Sequence, residues 1–201
     1  MGQTNLLGLT DEQFKCPLMG VTKGMSSLQQ CTLLVVGTEE CTYYTKATLS
    51  QKGGAKNIFS VIYDNHDITF GGVDKVEKAA EELFEGYSVE VLLIVTTCCI
   101  EVIGDDLTAL SKQLEEKHGK PVRVIQTNHF KTDNQEEGFA GLAKAASSAL
   151  NKEIKPEMLT NKNKGKKMSP EMLQKLRQKF GESLSDKELM MLYKQKQGEK
   201  K

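Results

Sequence analysis

The sequence predicts an α/β fold: a parallel sheet of about four strands flanked by helices, followed by a small helical C-terminal appendage. Two observations carry the fold class. Short continuous apolar runs, typical of strands buried on both faces, alternate with segments of helical periodicity. The connections between them are short, so each strand–helix–strand unit forms a right-handed crossover and leaves its strands parallel. A third observation sets the organisation, because the composition shifts near residue 151 to a Lys-rich stretch.

The elements follow in order. Cys31 to Val36 is an apolar run closed by Gly37, and Cys41 to Ser50 follows as a short helix. Asn57 to Tyr63 is the next strand, with Phe59, Val61 and Tyr63 alternating against Ser60. Gly71-Gly72 interrupts the chain before an amphipathic helix marked by Val73, Val76, Ala80, Leu83, Phe84 and Tyr87. Val89 to Val95 is the most apolar strand. Leu107, Leu110 and Leu114 mark a helix that stops at His118-Gly119 ahead of Pro121. Pro121 to Gln126 is the fourth strand and Glu137 to Leu150 an Ala-rich helix.

The domains predicted are therefore 1–151 for the α/β body, 152–168 for a basic linker and 169–201 for a helical tail. Asn161 to Lys167 has nothing to bury. Ser169-Pro170 and the capping box Ser185 to Glu188 each open a short helix that needs a surface to pack on.

Bulk properties exclude several function classes. Lys+Arg and Asp+Glu both total 27, so no net field steers the chain to nucleic acid or anionic lipid, and neither is an expected partner. The densest apolar run, Val91 to Val95, is too short to span a bilayer. The first residues lack a basic region followed by an apolar run, and Leu6 stands where a myristoylation signal has Ser or Thr. A cytoplasmic location is expected. Five cysteines in such a chain fit reduced thiols or metal ligands better than a disulfide framework.

Cys41 and Cys98 stand at corresponding places, each just past the carboxyl end of an apolar strand, where open α/β sheets bind ligands. Cys16 lies upstream among Pro17, Gly20 and Gly24, a flexible segment able to fold over that crevice. Soft thiolates brought together from distant positions suit an iron–sulfur cluster. Position and composition alone leave open the commoner alternative of buried structural thiols. Cys31 opens a buried strand and reads as core. Asp105 and Asp106 read as structural carboxylates at a helix start, His118 as an ordinary C-terminal helix residue and His66 as a loop residue. His129, just beyond the fourth strand, faces the crevice as a candidate proton-delivery or supporting group. Phosphate loops, Ser–His–Asp patterns and H-E-x-x-H motifs do not occur.

Taken in order, Cys16, Gly37-x-x-x-Cys41, Asp67-Ile-Thr-Phe-Gly-Gly72 and Thr97-Cys98-Cys-Ile-Glu-Val-Ile-Gly-Asp-Asp106 resemble the first domain of the nitrogenase component 1 family. The match covers about residues 12 to 150. The resemblance implies a Rossmann-like domain and a metal site in which Cys16, Cys41 and Cys98 ligate an iron–sulfur cluster. It further implies that the cluster receives electrons from an ATP-dependent iron protein. Counting back from Ile103-Gly-Asp-Asp106 makes Cys98 the ligand and puts Cys99 where many relatives carry Pro.

Two departures stand out. Relatives commonly read His-Gly-Pro-x-Gly-Cys where this chain has Val36-Gly-Thr-Glu-Glu-Cys41, and carboxylates at Glu39 and Glu40 lower a cluster's potential unless they turn outward. Ligands for a second metallocluster have no counterpart. The resemblance implies an oxidoreductase component whose own substrate site is incomplete, with a cluster that is [4Fe–4S] or a larger shared one. Three thiolates leave one cubane iron short, so an oligomer, homo- or hetero-, with a nitrogenase-like subunit is expected. The rival is a non-catalytic scaffold or carrier for iron–sulfur or metallocofactor assembly.

Overall fold

The computed structural model describes residues 15–50 and 57–160. Its centre is an all-parallel sheet of four strands in the order β2-β1-β3-β4: β1 is Cys31–Gly37, β2 Ile58–Ile62, β3 Val91–Thr96 and β4 Val122–Gln126. The two central strands, β1 and β3, are buried along their whole length. Their continuous apolar runs follow from helices covering both faces.

The strand period of two sorts the side chains into two cores. Leu33, Val35, Leu93 and Val95 face a layer that includes α1 (Pro17–Gly24) and α7 (Gln135–Leu150), with Leu142 and Ala146 fully buried. Leu34, Val36, Leu92 and Ile94 face α4 (Val73–Gly86) and α6 (Leu107–His118), meeting Val76, Ala80, Leu110 and Leu114. The helix α2 (Glu39–Ser50) follows β1 directly.

Short elements depart from the sequence expectation. Helices α3 (Asn65–Phe70), α5 (Cys98–Ile103) and α8 (Pro156–Leu159) run for six, six and four residues, too short to show periodicity. Consequently His66 sits in a helix and not in a loop. The segment after Cys16 is likewise the helix α1, not flexible chain. Its glycines serve close packing: a Cβ at Gly20 would overlap the Gln135 carbonyl, and one at Gly138 the Pro17 carbonyl. α8 lies inside the stretch assigned to the linker, and its Leu159 is buried in the α1/α7 core. The tail from residue 161 onward lies outside the described residues. Among the described residues no helix is long and apolar enough to cross a membrane.

Five polar residues bond to one another beside the second core. Asp64 and Asp67 form a reciprocal capping box on α3, and Lys75 Nζ donates to Asp67 Oδ2 at 2.6 Å. Asp105 lies between α5 and α6 and not within a helix start. Its Oδ2 accepts from the Tyr63 hydroxyl at 2.7 Å and from the Gly72 N–H at 3.0 Å. A Cβ at Gly72 would lie 2.5 Å from the Tyr63 ring, so this position has room only for glycine. Asp106 is the N-cap of α6, accepting from Ala109 N–H as expected of a carboxylate there.

Candidate metal centre

The strand order decides where a site forms. β1 is followed by β2 on one side and has β3 on the other, so a crevice opens at the carboxyl ends of β1 and β3. The Thr97 N–H donates to the Val36 carbonyl at 3.0 Å, carrying the β1–β3 pairing one step past the strand and holding Thr97 beside Gly37. A side chain at Gly37 would lie 2.5 Å from the Thr97 methyl. Immediately after these residues, Cys41 enters in the first turn of α2 and Cys98 opens α5. Cys16 arrives from a third direction as the N-cap of α1, whose packing on α7 through Gly20 and Gly138 fixes its position.

All three half-buried cysteines line one cavity of about 200 Å³, together with Thr97 and His129. Several times the ~30 Å³ share of a water molecule, this is a built space and not a packing defect. Burial pushes the Cys16 thiol up, with the charge of Cys98 adding to the rise, although the Leu18 and Met19 N–H groups favour a thiolate. Burial also raises Cys41, reinforced by Cys98, Cys16 and Glu40 and partly offset by a hydrogen bond from Thr38. The sulfurs therefore sense one another. Thiols crowded together and partly desolvated keep their protons until a cation compensates the charge.

The Thr97 hydroxyl is buried beside Gly37 with no hydrogen-bond partner among the described residues, a state that costs about 1–3 kcal/mol. Among the described residues no group of three His, Cys, Asp or Glu converges on a single ion.

Other candidates fall outside the cavity. The thiol of Cys31 is sealed in the core and pushed up to about 11. Cys99 is half-buried beside the site but does not line it. His118 pairs with Glu81 at 3.1 Å and stacks on Phe84, and the exposed His66 rests against Phe70. Glu39 and Glu40 are exposed at the start of α2, with the Glu40 charge still felt at Cys41. A larger hollow of about 450 Å³ over β4 and α7 contains no thiol, and its Arg123 is bonded to Glu115 and Ser148.

Sequence reasoning missed Thr97 and Glu101. Glu101, one turn after Cys98, accepts hydrogen bonds from the Thr96 hydroxyl, the Thr127 N–H and hydroxyl, and the Asn128 N–H. It thereby ties α5 to the loop that carries His129. Nothing in the local pattern signals a bond across that sequence separation.

Residues 16–180 match the family model described as nitrogenase component 1 type oxidoreductase. The chain belongs to that family. The iron–molybdenum cofactor biosynthesis protein NifE of Methanosarcina barkeri is 30% identical over 75% of this chain and 32% of its own length. The nitrogenase molybdenum–iron protein alpha chain of the same organism is 30% identical over 65% of this chain and 25% of its own. The nitrogenase iron–iron protein beta chain of Rhodobacter capsulatus is 31% identical over 55% and 24%. This nitrogenase component 1 type chain thus spans a third or less of the length of these relatives. The solved structure of nitrogenase Cp1 at pH 6.5 superposes with a TM-score of 0.58 over 67% of this chain and 28% of its own, at 23% identity, a likeness of fold.

Proposed function

We propose that this chain is a cytoplasmic subunit of a nitrogenase-like oxidoreductase that holds an iron–sulfur cluster on Cys16, Cys41 and Cys98. The cluster would relay electrons from an ATP-dependent iron protein. The observation that supports this most is the meeting of three thiols, from α1, α2 and α5, around one cavity. A bound cluster supplies a one-electron store at the crevice. The chain's residues do the rest: the three thiols would supply the ligands, and Leu18 and Met19 give the cavity an apolar wall. Three thiolates serve three irons of a [4Fe–4S] cluster, or form one side of a larger cluster shared with a second copy or a related subunit.

Anaerobic purification with iron and sulfide analysis tests the proposal. Coloured protein with equal iron and sulfide, lost in the Cys98→Ala variant, supports it, and colourless iron-free protein contradicts it. A second reading, a scaffold or carrier for metallocofactor assembly, is favoured by the similarity to a cofactor biosynthesis protein and by the short span. A relay accepts electrons from an iron protein with ATP turnover. A carrier passes its metal to an apo partner without redox turnover.

A further inference from the structure

Glu101 stands outside the cysteine cavity and is joined to its walls on two sides. It lies one turn after Cys98 on α5, and its half-buried carboxylate reaches across to the ends of two strands. Its Oε1 accepts from the Thr96 hydroxyl at 2.8 Å, from the Thr127 N–H at 2.6 Å and from the Thr127 hydroxyl at 3.1 Å. The Asn128 N–H donates to both oxygens, at 3.2 Å and 3.0 Å. Thr96 closes β3 and Thr127 follows β4, while Thr127 and Cys98 both line the cavity.

The helix α5 needs such bonds. It runs for six residues, too few for a helix to be stable by its own hydrogen bonds. Its N-cap, Thr97, makes no side-chain capping bond, and Ile100 is the one fully buried residue along it. A carboxylate in a first helical turn commonly serves its own helix by offsetting the dipole. This one is taken up by other elements, since every donor to it belongs to Thr96, Thr127 or Asn128. Hydrogen bonds to an ionised acceptor are about twice as strong as neutral ones. They also hold the turn after β4, where Asn128 adopts φ 50° in the left-handed region.

We infer that Glu101 is the positioning residue of this site: its carboxylate clamps the first turns of α5 to the ends of β3 and β4, and so fixes where Cys98 stands relative to the β4 wall of the cavity. The clamp acts on the thiol whether or not metal is bound. Its effect on cluster retention rests on the reading of the cavity as an iron–sulfur site.

Two arms on the full chain test this. In metal-free protein, mass spectrometry follows the alkylation of each cysteine. Glu101→Ala should raise the rate at Cys98 on the order of tenfold, as local opening of α5 becomes easier, and leave Cys31 and Cys41 unchanged. Glu101→Gln should stay close to wild type, because an amide oxygen can take the bonds that Oε1 accepts. In the second arm the chain is loaded anaerobically with iron and sulfide, and release of iron to a chelator is timed. Release should be on the order of tenfold faster in Glu101→Ala than in wild type or Glu101→Gln. Should Glu101→Ala fail to fold, Glu101→Asp, whose carboxylate is one methylene short of these donors, takes its place and must show the same selective rise at Cys98. Equal rises at Cys31, Cys41 and Cys98 reveal a general loss of stability and overturn the inference. So does a Cys98 rate that is unchanged in Glu101→Ala or raised as much in Glu101→Gln. Unchanged iron release overturns the part that concerns the cluster. A wild-type chain that takes up no iron overturns the cluster reading itself, and the alkylation arm then decides the role of Glu101 alone.

Discussion

Two ends of the same crossover make an instructive pair. On one side of α5 lies the lock of Tyr63, Gly72, Asp67 and Asp105, in which each carboxylate is bonded: Asp105 to a phenol and a backbone N–H, Asp67 to Lys75 and the Asp64 N–H. On the other lies the cysteine cavity, lined by Cys98 and by the raised thiols of Cys16 and Cys41, with a buried Thr97 hydroxyl without a partner and an imidazole without a partner among the described residues. Both are polar clusters in a half-buried setting. One is saturated by the protein itself and the other is not. A fully bonded cluster stabilises the fold, whereas an unsatisfied one leaves polar groups open to a ligand.

Substitutions sharpen the contrast. The largest effect is expected at the ligands: Cys16→Ala, Cys41→Ala or Cys98→Ala abolishes iron and sulfide uptake, while Cys31→Ala and Cys99→Ala retain it, as metal analysis will show. Next comes Gly138→Ala. Its Cβ collides with the Pro17 carbonyl, so we expect a loss of about 1–3 kcal/mol in chemical denaturation from overpacking, and a further drop in iron content as Cys16 moves. Asp105→Ala leaves the Tyr63 hydroxyl and the Gly72 N–H unpaired. It should cost about 2 kcal/mol, yet the folded fraction should still take up its cluster. A variant that is stable but iron-free would merge the two regions and break the comparison. The smallest change is Thr97→Val, which removes the orphan hydroxyl. Apo protein should gain about 1 kcal/mol in chemical denaturation, because a buried hydroxyl without a partner is removed.

Much of this architecture was legible in the chain because two signals act over short range. Cys31–Val36 and Val91–Val95 are apolar at every position because both faces of β1 and β3 are covered, and their following cysteines are brought together by that shared topology. What stayed hidden depends on distance or brevity. Helices of four to eight residues, such as α1, α3 and α5, make too few turns for a hydrophobic period, so Cys16 read as part of a flexible strap. The bonds from Asp105 to Tyr63 and from Glu101 to Asn128 join residues 42 and 27 apart and leave no local mark. The role of Gly20 is likewise set by a helix that begins more than a hundred residues later.

Thiol protection tests the central claim most directly. Alkylating the anaerobically loaded chain and mapping the labels by mass spectrometry should find Cys16, Cys41 and Cys98 blocked together. Cys99 should be modified, and all three ligand thiols should become reactive once a chelator strips the iron. Labelling of any one of the three at the same rate before and after chelation would contradict a shared cluster.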